Sequence, residues 1–302
     1  MNTTLLKLAS RYADTYVDAD GVARTPIPGL VLLRETAPTS LQYAISKPLV
    51  ALVLQGSKRV SVGARDFDFG AAESLIITAD VPTVSQITSA SLDRPYYSIV
   101  VELNPEVIST LVEDIGSTPF LAGMPIRVDP TEVEVSDAAR RLLCLLDRPV
   151  ALPVLRDQHI RELHYWLLCG QHGGAIRALG ITDSHAGRIA RAVEMIRFNF
   201  RIPLRMEQLA DAAGMSISAF HVHFRSATSL SPLQFQKQLR LIEARRCMLA
   251  DGAAIATAAF AVGYESVQQF TREYGRVFGQ PPGRDIRTSK METVSIRQRL
   301  QQ

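Results

Sequence analysis

Between Leu30 and Leu103 the chain alternates short apolar runs with polar punctuation. The runs are Leu30-Val31-Leu32-Leu33, Leu41-Gln42-Tyr43-Ala44-Ile45, Val50-Ala51-Leu52-Val53-Leu54, the alternating Val60-Ser61-Val62 and Phe67-Asp68-Phe69, and Leu75-Ile76-Ile77. Turn-forming residues separate them at Gln55-Gly56-Ser57, Val62-Gly63-Ala64 and Phe69-Gly70. Runs this short, closely spaced and without intervening helices predict an antiparallel barrel or sandwich, since a parallel sheet needs a long crossover between strands.

The period changes after Leu103. Asn104 is a helix N-cap with Pro105 at the first helical position, and Val107, Ile108, Leu111, Val112 and Ile115 form one apolar stripe, which predicts an amphipathic helix. Further helices are predicted at about 137–146 and 156–169. The glycines of Gly170-Gln171-His172-Gly173-Gly174 and Gly180 interrupt the pattern and predict a hinge. The expected organisation is a first domain over 1–172, a linker over 173–183, a helical domain over 184–290 and a tail over 291–302.

Composition narrows the class. With 302 residues, 47% hydrophobic and 21% charged, the chain has the make-up of a globular protein with room for two domains, and neither a disordered nor a collagen-like chain fits. The longest nearly unbroken apolar run, Ala253 to Val262, is about half the roughly 20 residues a spanning helix needs, and no basic-then-apolar leader opens the chain. A soluble cytoplasmic protein without a membrane partner is expected. Cys144, Cys169 and Cys247 are scattered among Leu and Met, so they read as core filling rather than a disulfide framework. Charge is segregated: residues 1–179 carry 16 basic and 20 acidic side chains, net −4, whereas 180–302 carry 17 and 10, net +7. A basic third joined to an acidic remainder raises the question of nucleic acid.

Within that basic third, two segments repeat at an offset of 49 to 50 residues. Leu209-Ala210, Gly214-Met215-Ser216, Phe220, Phe224 and Ser231-Pro232 align with Ala258-Ala259, Gly263-Tyr264-Glu265, Phe270, Tyr274 and Pro281-Pro282. Each copy reads as helix, glycine turn, helix, at about 206–227 and 255–278. Ser216 and Ser266 are placed to cap the second helix, and aromatics four residues apart to anchor it.

Helical geometry separates the two faces. At 100° per residue from Phe220, Phe224 and Ile217 fall on its side, while Ser218, His221, Val222 and Arg225 point away. From Phe270, Val267 and Tyr274 turn inward, and Gln268, Thr271, Arg272 and Gly275 outward. In a helix-turn-helix that outward face enters the major groove, where Gln pairs with adenine and Arg with guanine edges. The expected base-reading residues are therefore Ser218, His221, Val222, Gln268, Thr271 and Arg272. The stretch between the copies, Pro232 to Asp251, reads as one helix of roughly 27 Å; with the flanking motifs this approaches the ~34 Å between major-groove openings on one face of DNA.

These motifs are familiar together. Residues 184 to about 288 resemble the DNA-binding domain of the AraC/XylS family of bacterial transcription regulators. The second copy, Ala259-Phe260-Ala261-Val262-Gly263-Tyr264-Glu265-Ser266 with Phe270, Tyr274, Phe278-Gly279 and Pro282, carries the family signature. Around Leu54-Gln55-Gly56-Ser57-Lys58, residues 1–170 resemble the N-terminal effector domain of one branch. Gly275, where Lys or Arg is common, and Val222, where a polar residue is usual, depart from the pattern. The resemblance implies an α+β protein: a cupin-like antiparallel β-barrel with helices, then an all-α tandem helix-turn-helix domain. It further implies a homodimer that binds promoter DNA and activates transcription through contact with RNA polymerase. Arg225, Lys237, Arg240 and Arg276 are the expected phosphate contacts.

Enzymatic chemistry finds little support. His221 and His223 lie at i and i+2 and diverge by about 200° on a helix. His159, Glu162 and His164 lack the HExxH spacing. No histidine precedes His159, so a cupin-type barrel would lack imidazole ligands for a catalytic metal, and no cofactor is expected. The barrel then serves as a pocket for a small organic effector or as a dimerisation platform. Tyr43, Lys58, Arg59, Tyr96 and Tyr97 are the candidate effector contacts. The rival reading is a cupin-type enzyme that modifies a small molecule and carries an accessory DNA-binding tail.

Overall fold

A computed structural model describes residues 2–63, 65–116, 125–171, 173–181 and 184–299. It comprises two compact units, Met1–Ala190 and Arg191–Gln302.

The first unit opens with helix α1 (Asn2–Tyr16), followed by strands β1 (Val22–Arg24), β2 (Leu30–Glu35), β3 (Gln42–Ser46), β4 (Leu49–Gln55), β5 (Ser57–Val62), β6 (Arg65–Gly70), β7 (Glu73–Ile77), β8 (Val81–Ser89) and β9 (Tyr96–Glu102). Helix α2 (Pro105–Ile115), strand β10 (Ile126–Pro130) and helices α3 (Val133–Cys144), α4 (Leu152–Cys169) and α5 (Gly173–Gly180) complete it. The strands form two antiparallel sheets, ordered β1-β2-β9-β4-β7-β10 and β3-β8-β5-β6. The antiparallel α+β class is the one the sequence predicts. The barrel, however, is not closed: the strands stay in two sheets with an apolar core between them.

Strand parity sorts the side chains. On β9, Tyr96 belongs to the core between the sheets, while Tyr97, Ile99 and Val101 pack on the helical side of the larger sheet. Successive residues of a strand face opposite ways, so a strand buried on both sides is apolar throughout. This is the state of β4, whose residues Val50 to Leu54 are all buried.

Helix α1 covers that helical side through Leu5, Ala9 and Ala13. The sequence pattern missed it because only one of these three is large. Asn104 caps α2 as expected, its Oδ1 accepting from the backbone N–H of Glu106 at 2.9 Å. The expected hinge is different in kind. Gly173–Gly180 is a helix packed on α2 and α4, and a Cβ on Gly180 would sit 2.7 Å from the backbone nitrogen of Ser109. Glycine serves close approach there rather than flexibility. His172 and residues 182–183 lie outside the described residues.

The boundary between units falls within α6 (His185–Asn199). The second unit continues with α7 (Met206–Ala212), α8 (Ile217–Thr228), α9 (Pro232–Ala250), α10 (Ile255–Ala261), α11 (Val267–Phe278) and α12 (Pro282–Arg299). The segment expected as a tail thus continues α12 as far as Arg299; residues 300–302 are outside the described set.

Candidate nucleic-acid interface

Both helix-turn-helix units close in the same way. In the first turn Gly214 has φ +59°, and the N–H groups of Gly214 and Met215 donate to the carbonyls of Asp211 (2.8 Å) and Ala210 (2.9 Å). In the second, Gly263 has φ +88°, and Gly263 and Tyr264 donate to Phe260 (3.0 Å) and Ala259 (3.1 Å). A Cβ on Gly263 would collide with the carbonyl of Arg201, so that turn needs glycine for space as well as for φ. Ser216 caps α8 by accepting from Ala219 N–H at 3.3 Å, and Ser266 caps α11 by accepting from Gln269 N–H at 3.4 Å, each satisfying one of the free donors at a helix start.

Aromatic ladders hold the two outer helices. Phe220, Phe224 and Phe235 of α9 stack in sequence, with ring centroids 5.4 and 5.8 Å apart. Tyr264, Phe270, Tyr274 and Phe278 repeat the arrangement at 5.3, 5.4 and 4.2 Å. The opposite faces are open. Ser218, His221, Val222 and Arg225 on α8 are exposed, as are Gln268, Arg272 and Arg276 on α11, while Thr271 is half-buried. Val222 is 67% exposed, an apolar side chain held in solvent on the face where an apolar contact to a thymine methyl is one way of reading a base. Ile217, the first residue of α8, departs from its expected inward position and is 42% exposed. Nothing lies within 4 Å of a Cβ built on Gly275, so that outward position is free to carry a side chain.

Two of the expected phosphate contacts are occupied otherwise. Arg240 donates from Nε to the carbonyl of Phe200 (2.6 Å), from Nη1 to Gly263 (3.0 Å) and from Nη2 to Ile202 (3.2 Å). One guanidinium thus donates to three loop carbonyls, two of them shared with Gln236, and burial pulls its pKa down; in this structure the donors of Arg240 brace the fold. Lys237 pairs with Glu273 at 3.0 Å, and Glu273 also accepts from Tyr264 at 2.7 Å. Burial pushes the Tyr264 hydroxyl up, and the neighbouring Glu273 carboxylate adds to the shift.

A third cluster escaped the sequence pattern. Asp285 of α12 receives Arg245 of α9 and Tyr274 of α11, the latter at 2.6 Å. Burial pushes the Asp285 carboxyl up, but the hydrogen bonds from Arg245 and Tyr274 outweigh it and hold the pKa below its ordinary value. Polar residues 40 positions apart leave no periodic trace. Gln236 was likewise silent, and its amide donates to Phe200 (3.0 Å) and Ile202 (2.6 Å) carbonyls.

In the first unit, a cavity of about 300 Å³ lies between the two sheets. Of the five candidate effector contacts, Lys58 and Tyr96 line it. Tyr43 lies one residue out of phase, since Gln42, Ala44 and Ser46 are the β3 residues that line the space. Arg59 points outward and pairs across the strands with Asp68 at 2.7 Å. Tyr97 faces the helical side, where its hydroxyl donates to Asp14 at 2.7 Å beside Arg34, which donates to the same oxygen at 2.6 Å. These three do not line this cavity for one reason: strand period 2 sends neighbours to opposite faces. Among the described residues no group of three or more His, Cys, Asp or Glu side chains is placed to hold a metal ion.

The comparisons with known proteins follow the same division. Residues 26–175 match the family described as AraC-type transcriptional regulator N-terminus, and residues 209–288 match a helix-turn-helix domain family. The chain belongs to the AraC/XylS family of transcriptional regulators. One similar curated protein is the probable thc operon regulatory protein of Rhodococcus erythropolis, 29% identical over 150 residues, covering 47% of this chain and 45% of that protein. Another is the HTH-type transcriptional activator RhaS of Yersinia pestis bv. Antiqua, 23% identical over 108 residues and covering 36% and 39%. The chain spans less than half the length of both. Among solved structures, ToxT from Vibrio cholerae matches with a TM-score of 0.56 at 8% identity, over 84% of this chain and 97% of ToxT, which is a likeness of fold. No helix among the described residues is long and apolar enough to cross a membrane.

Proposed function

We propose that the chain is a sequence-specific DNA-binding transcription regulator, with 184–290 as its DNA-binding domain and 1–172 as an effector-sensing domain. The observation that carries this reading is the pair of exposed faces on α8 and α11, each opposite an aromatic ladder, joined through the 19-residue helix α9. At 1.5 Å per residue α9 spans about 28 Å, and with the flanking helices this suits two adjacent major grooves. Ser218, His221 and Val222 would read one groove and Gln268, Thr271 and Arg272 the next, with Arg225 and Arg276 at phosphates. The net +7 of the basic third favours the encounter.

The cavity between the sheets would hold a small organic effector, and its occupancy would shift the population of states able to bind paired half-sites. Similarity to a transcriptional activator supports activation, with RNA polymerase as partner, in a cytoplasmic homodimer that is not an enzyme. Selection of bound fragments from random duplex DNA, followed by anisotropy titration against unrelated competitor at fixed salt, tests the reading. A specific reader prefers its own site by on the order of 10³-fold or more. Equal affinity for selected and unrelated DNA would reduce the protein to a charge-driven binder.

A further inference from the structure

The cavity between the sheets has a lopsided lining. Most of it is aliphatic or aromatic, including Val31, Leu33, Leu75 and Phe69. Into this space projects Lys58 from β5. Among the described residues its ammonium has no hydrogen-bond or ion-pair partner, and Glu35 is the charged group that influences it. Glu35 is not part of the lining: a Cβ on Gly21 would collide with its carboxylate, so Glu35 lies against the Gly21 backbone. Gln42, Ser46, Thr83 and Ser85 also line the space, and so do two buried hydroxyls without partners. Tyr96 is 0% and Ser98 1% exposed, one strand repeat apart on β9, and neither hydroxyl has a partner at hydrogen-bond geometry. Burial pushes the Tyr96 hydroxyl up, and the nearby Ser98 hydroxyl only eases that shift.

Buried polar groups are nearly always satisfied, and a half-buried cation whose charged neighbour, Glu35, makes no ion pair with it is costlier still. An ammonium and two hydroxyls, all able to donate, meet in a cavity with no acidic lining residue; Arg24 also lines it but is largely exposed and pairs with Asp18 at 3.7 Å. A cationic ligand would be repelled. A sugar would place many hydroxyls against aliphatic walls, and a neutral apolar molecule would leave all three donors without partners. We infer that the cavity binds a small carboxylic acid with an apolar body, its carboxylate accepting from Lys58, Tyr96 and Ser98 and its body filling the space between the sheets. This rests on the reading of the cavity as an effector pocket and names the class of effector.

Burial pulls the Lys58 pKa down to about 8, and a bound carboxylate would raise it again, so binding is accompanied by proton uptake above neutral pH. At about 300 Å³ the space sits at the small end of the roughly 300–1,000 Å³ typical of small-molecule sites. Compact aryl-alkyl and medium-chain acids are therefore the probes to use.

The test is calorimetric titration of the full chain with 4-phenylbutanoate and octanoate, each beside its neutral amide of the same size. Charge-assisted hydrogen bonding predicts that each acid binds at least about tenfold tighter than its amide. In Lys58→Met that preference is lost while amide binding persists, and in Tyr96→Phe acid binding weakens several-fold. The comparison of acid with amide on the unaltered protein decides the matter even if a variant does not fold. Amides that bind as tightly as acids would overturn the inference and leave a neutral-effector pocket standing. Failure of all four compounds to bind would overturn both the inference and the pocket reading beneath it, without touching the DNA-binding assignment.

Discussion

Arg245 holds Asp285 at two points, Nε to Oδ2 at 2.8 Å and Nη2 to Oδ1 at 3.3 Å, and thereby ties α9 to α12 beneath the second candidate reading helix. With the carboxylate 7% and the guanidinium 17% exposed, removing one partner leaves the other charge largely enclosed. Asp285→Ala is expected to destabilise the second unit by about 3 to 5 kcal/mol, the range for breaking a buried pair. The same pair makes the unit acid-sensitive. The folded pKa of Asp285 lies below its unfolded value, so its contribution is complete above about pH 4 and declines as the carboxylate protonates below that. Thermal melts from about pH 7 to about pH 3 should show an acid-side decline that is smaller in Asp285→Asn; parallel decline in both proteins would place the sensitivity elsewhere.

Arg240 and Arg276 should separate cleanly. Arg240→Ala removes the donor to the Gly263 carbonyl and leaves those of Phe200 and Ile202 with Gln236, and is expected to lower stability by about 1 to 3 kcal/mol. Arg276, exposed in the last turn of α11, should have little effect on stability. Arg276→Ala is expected to weaken all DNA sequences alike and to reduce the salt slope by about one unit. Paired melting and salt-titration curves check this; a salt-slope change in Arg240→Ala at unaltered stability would return that residue to the phosphate contacts.

Arg272→Ala is expected to act differently again. It should cost about 1 to 3 kcal/mol on the selected site and relax the preference at one base pair, because a base-edge contact carries sequence information and a phosphate contact does not. Binding measured across single-base variants of that site is the check. A uniform loss at every variant would move Arg272 to the phosphates.

What the sequence made legible followed periodicity. The twin glycine turns, the Ser216 and Ser266 caps and the Phe220/Phe224 and Phe270/Tyr274 anchors all lie within a few residues of one another, so local spacing fixes their geometry. Arg240 read as a surface cation because its partners are backbone carbonyls, which sequence does not distinguish. Tyr43, Arg59 and Tyr97 were placed by residue type, whereas the face each strand turns to the cavity depends on register. Helix α1 was invisible because Ala9 and Ala13 bury well without being large enough to mark a stripe.

Ser229 and Gly279 occupy the same place in the two repeats, closing α8 and α11 in the left-handed region at φ +62° and +76°. Gly is at ease there and Ser is not, because its Cβ crowds the backbone. Ser229→Gly is expected to stabilise the second unit by about 0.5 to 1 kcal/mol, the strain relieved being offset in part by glycine's greater freedom when unfolded. Chemical denaturation measures it, and a loss of stability would mean that the serine hydroxyl contributes more than its backbone costs.

Lys58 should lower stability in the empty protein, and the effect should depend on pH in a known direction. Its folded pKa of about 8 lies below the unfolded value of about 10.4, so between these limits the unfolded chain holds more protons and stability rises with pH. Below about pH 8 the penalty is present in full. At most about 3 kcal/mol follows from the shift, and less if water enters the cavity. Lys58→Met is therefore expected to melt higher than the unaltered chain at about pH 7, with the advantage shrinking between about pH 8 and about pH 10.5 as the lysine neutralises. Glu35 faces Lys58 and Arg24 lines the same cavity, but neither changes its ordinary charge state over that interval. An advantage constant across the range would come from apolar packing of the methionine, whereas one that shrinks would identify an enclosed charge kept at the expense of stability, as binding sites often require.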